Sequence, residues 1–150
     1  MATQSDVLRL LRSSKWLSDG TKQKNLTRHL RSVAKGDDRI LASRAVYLAS
    51  RFKTKGCIDI VKEAASSRLN NLRIAAASVA SELPRKDAIE VVKKLLGSKV
   101  STIRKRALES AESLDSPELL PKLKSMSKNE PIYKLKRQAK ELAKRLAEKE

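Results

Sequence analysis

The sequence predicts an all-α protein, an α-solenoid of about four stacked two-helix hairpins preceded by an N-terminal capping helix over residues 1–20. Three observations carry this prediction. An apolar stripe with helical spacing recurs at intervals of 31, 31 and 32 residues. A second apolar stripe precedes each copy. Alanine fills the middle of the recurring stripe, as in "NLRIAAASVASEL" (Asn71–Leu83), where an isolated helix would gain more from leucine.

The capping helix rests on Val7, Leu8, Leu10 and Leu11, broken by Arg9 and Arg12. Trp16 ends it and is expected to cover the open end of the first hairpin. The first helix of each hairpin (A) is marked by Leu26, Leu30 and Val33. These recur as Cys57, Val61 and Ala64, as Ala88, Val92 and Leu95, and as Leu119, Leu123 and Met126. The second helix (B) is marked by Leu41, Ala45, Leu48, Ala49 and Phe52, and again by Leu72, Ala76, Val79, Ala80 and Leu83. The later copies are Ile103, Ala107, Ser110, Ala111 and Leu114, then Leu135, Ala139, Leu142, Ala143 and Leu146. Each follows i, i+4, i+7, i+8, i+11, one face of a helix.

Breakers divide the array into approximate repeats of 21–54, 55–84, 85–115 and 116–150, forming one domain. Gly36 and Gly97 fall between A and B helices, and Gly20, Gly56, Pro84 and Pro117 between hairpins. "SPE" (Ser116–Glu118) offers an N-cap serine with proline in the first helical position. Asp37 or Asp38, and Asp87, stand where other helices should begin. One hairpin cannot bury its own apolar face, so the alanines are expected where neighbouring hairpins approach closely.

Charge is lopsided, with 34 Lys and Arg against 17 Asp and Glu, a net of +17. Residues 1–56 hold 13 basic and 4 acidic groups, 57–98 hold 7 and 5, and 99–150 hold 14 and 8. Such an excess points to a polyanionic partner. Cys57 alone permits no internal disulfide, and no Cys/His spacing suits a metal. With no apolar run of bilayer length and no signal-peptide pattern, a cytoplasmic monomer without membrane contact is expected.

The segments "LRIAAASVASEL" (Leu72–Leu83), "IRKRALESAESL" (Ile103–Leu114) and "SPELLPKLKSM" (Ser116–Met126) resemble the HEAT-like helical repeats over roughly residues 21–147. The resemblance implies a right-handed superhelix, B helices on the concave side and A helices on the convex side. Where such repeats carry an arginine, the sequence has Ala42, Arg73, Arg104 and Lys136. Where they carry its aspartate partner, it has Gly36, Ser67, Ser98 and Glu130, so that only Lys136 is expected to find a counter-charge. Arg73 and Arg104 are therefore candidates for ligand binding, with carbonyl capping or packing over a neighbouring helix as the structural alternative.

Two basic clusters are candidate nucleic-acid contacts. Lys24, Arg28, Arg31 and Lys35 form one stripe on the first A helix. Four cations at this spacing repel one another, which a phosphate backbone would relieve and a purely solvated face would not. The second cluster, Arg104, Lys105 and Arg106 with Lys134, Lys136, Arg137 and Lys140, places Lys105 beside Arg137, interrupted by Glu109, Glu112 and Glu141. Tyr47 and Tyr133 face outward and could stack on bases.

Nothing here assembles a catalytic set. Cys57 falls on a buried stripe, and His29 has no acid at helical spacing. HEAT-like alkylpurine DNA glycosylases and bilin lyases are minor alternatives, and the former would imply inner-face tryptophans that this chain lacks. The expected function is thus non-enzymatic, without cofactor or metal. DNA or structured RNA is bound through phosphates, or, alternatively, an acidic protein or peptide is held on a scaffold.

Overall fold

The computed structural model describes residues 20–149, and the capping helix with Trp16 lies outside these, apart from Gly20, which opens the first helix. Among the described residues there are eight α-helices and no strand. They pair as α1 (Gly20–Ala34) with α2 (Arg39–Ala49), and α3 (Lys55–Ala65) with α4 (Asn70–Val79). Next come α5 (Arg85–Leu96) with α6 (Ser101–Leu114), and α7 (Leu120–Asn129) with α8 (Tyr133–Ala147). Short 3-10 turns, Ala80–Glu82 and Pro117–Leu119, extend α4 and lead into α7.

The hairpins stack in chain order, making an α-solenoid. B helix α2 packs on α4, α4 on α6 and α6 on α8, while A helix α1 packs on α3 and α3 on α5. The alanines are the contact points. Ala45, Ala76, Ala107 and Ala139, one from each B helix, are all 0% exposed. A methyl side chain there lets helix axes settle toward the close end of the usual separation, about 8 Å. Ala107→Leu is expected to overpack this layer and lower stability by about 1–3 kcal/mol, read from the midpoint of urea unfolding.

Local signals differ in how they are used. Asp38 caps α2, accepting from the Ile40 and Leu41 N–H groups at 3.1 Å each. Thr54 likewise caps α3. Ser116, expected as a cap, makes no capping bond; it is fully buried and its hydroxyl accepts from the Arg85 guanidinium at 3.2 Å. Asp87 sits in the first turn of α5 and pairs with Lys62 instead. Gly56 lies within the first turn of α3, not between hairpins, and a Cβ there would come within 2.5 Å of Thr27 Cγ2. The glycine lets α1 and α3 approach.

Buried hydroxyls tie the stack where the apolar pattern breaks. Ser110 stands on the buried stripe of α6 and donates to the Ala77 carbonyl of α4 at 2.5 Å. That carbonyl is in the last turn of α4, where helical acceptors lack an intrahelical donor. Asp115 ends α6 in the left-handed conformation (φ 50°), tolerated by aspartate better than by most residues. Its carboxylate takes Arg145 at 3.2 Å and also Lys149, so it clips α8 to the third hairpin. The hydrogen bond from Lys149, with both cations nearby, holds the Asp115 carboxyl below its ordinary value.

Candidate nucleic-acid interface

On α1, Leu26, Leu30 and Val33 are buried, leaving Lys24 and Arg28 exposed on the opposite face, with Lys35 exposed just past the helix end. Arg31 is only partly exposed. Its guanidinium approaches Glu63 of α3 at 4.0 Å, and its Nε is buried without a hydrogen-bond partner. The stripe therefore holds three exposed cations and one that leans into the junction with the second hairpin. That junction contains a cavity of about 320 Å³, lined by Arg31, Lys35, Ile60, Glu63 and Leu72 among others.

The stacking of A helices builds a pattern that the α1 stripe alone does not reveal. Arg31, Lys62, Lys93 and Lys124 occupy the same position in successive A helices, 31 residues apart. Lys24, Lys55 and Lys86 form a second such set, all exposed. Because α1, α3 and α5 lie side by side, these become rows running across the helices. One member is neutralised. Lys62 meets Glu90 at 3.1 Å and Asp87 at 3.2 Å, and those hydrogen bonds, to Glu90 first, raise its pKa. Lys93 and Lys124 make no ion pair with the described residues.

The second cluster divides. Arg106 pairs with Glu109 at 3.3 Å and Arg137 with Glu141 at 3.1 Å, each along its own helix. Lys105 shares a cavity of about 160 Å³ with Lys134 and Gln138. Lys105, Lys134, Lys136 and Lys140 are exposed. Tyr47 and Tyr133 are 43% and 77% exposed, but they stand on the first and last hairpins and cannot form one stacking platform. Cys57 is 1% exposed, a core residue beside Thr27.

Arg104 overturns its expected freedom. Its Nε and Nη2 hold both oxygens of Glu130 at 2.7 and 2.8 Å, and Nη1 donates to the Ser98 carbonyl at 3.0 Å. Glu130 thus pairs across the junction with the third hairpin, rather than with Lys136 in its own. A family model for HEAT repeats matches residues 58–143. The chain belongs to the HEAT repeat family.

In this HEAT array the inter-repeat charge pair survives at a single described junction, the last. Arg73, the equivalent of Arg104, makes one side-chain bond, to Asn70 Oδ1, and its Nε is buried without a partner. A buried donor left unmade costs roughly 1–3 kcal/mol. HEAT repeats generally serve as non-catalytic scaffolds and commonly mediate protein interactions. Among solved structures, an engineered protein determined by crystallography is 17% identical, with a TM-score of 0.49; the alignment covers 95% of this chain and 62% of that one. No curated protein matches. Among the described residues no helix is long and apolar enough to cross a membrane, and no acidic, His and Cys group of three or more could hold a metal ion.

Proposed function

We propose that this HEAT array binds nucleic acid through the phosphate backbone, along the A-helix face. The observation that carries the proposal is the recurrence of cations in register from one A helix to the next. In the Lys24–Lys55–Lys86 row, whose members form no ion pair with the described residues, neighbouring axes about 8–10 Å apart put successive charges within about one Debye length at physiological salt, a repulsion that an anion lying along them relieves. The N-termini of α1 and α3 support the same reading, since neither has an acidic side chain in its first turn.

The contributing side chains are Lys24, Arg28, Lys35, Lys55, Lys86, Lys93 and Lys124, while the exposed Lys105, Lys134, Lys136 and Lys140 belong to B helices. Arg104, Arg106 and Arg137 leave the set, because acids already hold them. Contacts to phosphates position a ligand without reading its bases, so shape rather than sequence is selected.

Affinity for random-sequence duplex DNA and for RNA, measured across a salt series, tests this. Six to eight phosphate contacts on duplex DNA give a log–log slope of about −5 to −7. Absence of binding at low salt removes the proposal and leaves the array as a scaffold for an acidic protein.

A further inference from the structure

We infer that the junction between the second and third hairpins holds an oxyanion site, with Arg73 as the receiving group and a single phosphate group as ligand. The inference stands apart from the A-face proposal, since free phosphate satisfies it as well as a nucleic-acid phosphate does.

The last junction shows what a completed pair looks like. There the Nε and Nη2 edge of Arg104 grips both oxygens of one carboxylate, at 2.7 and 2.8 Å. Glu130 supplies it from the loop before α8, where it also accepts the Ile132 N–H at 3.2 Å. Ser98 takes the same place before α6 and accepts the Val100 N–H, also at 3.2 Å. Ser67 repeats the arrangement before α4, with the Leu69 N–H at 3.1 Å. The three loops are therefore equivalent, and the serines carry a hydroxyl where Glu130 carries a carboxylate.

For Arg73 the residue equivalent to Glu130 is Ser98, which carries no carboxylate. The Arg73 side chain is half-buried, its Nε has no partner, and Nη2 is held only by the exposed amide of Asn70. This is the same edge by which Arg104 holds Glu130. A second cation spans the junction, since Lys94 of α5 donates to the Ser66 hydroxyl at the end of α3. A phosphate with two oxygens on Nε and Nη2 reproduces the missing carboxylate, displacing Asn70 from Nη2. Bidentate geometry of this kind is what guanidinium offers and ammonium does not.

The experiment follows the Arg73 Nε–Hε resonance of the full-length, nitrogen-15-labelled protein by NMR. Inorganic phosphate is titrated in one arm and a short DNA duplex in another, with chloride holding ionic strength constant. A saturable shift in the phosphate arm is expected, with a rise in Tm of about 3–5 °C at ten times the dissociation constant. A shift with DNA alone assigns the phosphate to a nucleic-acid ligand. Ser98→Glu supplies the anion internally, so it raises Tm without phosphate and abolishes the phosphate response. Glu130→Gln gives Arg104 a phosphate response of its own. Arg73→Lys, which keeps the charge but loses the fork, removes the Tm response even if Ser98→Glu fails to fold. An Arg73 resonance unmoved in both arms overturns the inference, as does an equal Tm response in wild type and Arg73→Lys.

Discussion

Glu130→Ala is expected to destabilise the protein by about 3–5 kcal/mol, the usual result of removing one partner from a buried ion pair. The side chains of Arg104 and Glu130 are only 12% and 2% exposed. The loss leaves a shielded guanidinium without its counter-charge and the Ile132 N–H without its acceptor. Replacing both members by apolar residues, Arg104→Met with Glu130→Leu, is expected to restore most of the stability, because the pair's attraction is largely offset by its desolvation. Urea unfolding of the two single variants and the double variant measures the coupling.

The pair also predicts a pH dependence. Burial pushes the Glu130 carboxyl up, but hydrogen bonds from Arg104 and the Ile132 N–H outweigh it and hold the group below its ordinary value. A carboxyl depressed in the folded state stabilises fully above its unfolded pKa, about 4.3, and that contribution is lost as pH falls through the folded value. Glu130→Gln is expected to flatten this part of the acid limb. An unchanged acid limb in Glu130→Gln would show that other carboxylates dominate it.

The second large effect concerns the proposed ligand. Reversing Lys24 and Arg28 to Glu together removes two phosphate contacts and adds repulsion. Affinity for duplex DNA is expected to fall by roughly 100-fold at 0.1 M salt, and the log–log slope to shrink by about 2. Both side chains are exposed on α1, so helicity should be retained and stability should change by less than about 1 kcal/mol. Arg137→Gln, which removes a cation already paired with Glu141, should change affinity by less than about threefold. Equal losses in the two variants would assign the binding to overall charge rather than to the A-helix face.

The apolar stripes were legible because burial repeats with the helix period, and every alanine of the B-helix stripes is buried. Charge pairing was not legible in the same way. Glu130 lies six positions before Lys136 in its own repeat, yet its partner is Arg104, reached through the direction of both side chains across a junction. Spacing along one repeat carries no information about that geometry. Ser110 and Ser116 show the same limit. Their chemistry suggests a break and a cap, and the stack instead turns both into buried links to the preceding hairpin. The rows Arg31–Lys62–Lys93–Lys124 and Lys24–Lys55–Lys86 are in the sequence at the very interval of the alanines. Apolar patterning passes over them.

The hairpins are tied to one another by unequal sets of polar contacts. In a linear array each module is coupled chiefly to its neighbours. Of those couplings the last is the most ionic, joined by Arg104–Glu130 and by the Asp115 clip. The first contains the cavity beside Arg31, the Arg31–Glu63 approach at 4.0 Å, and hydroxyl, amide and lysine contacts such as Ser50 to Glu82 and Asn71 to Ser43. Near neutrality ionic pairing is therefore densest at the last junction, and protonation of Glu130 and Asp115 is expected to weaken the coupling of the last module to the third.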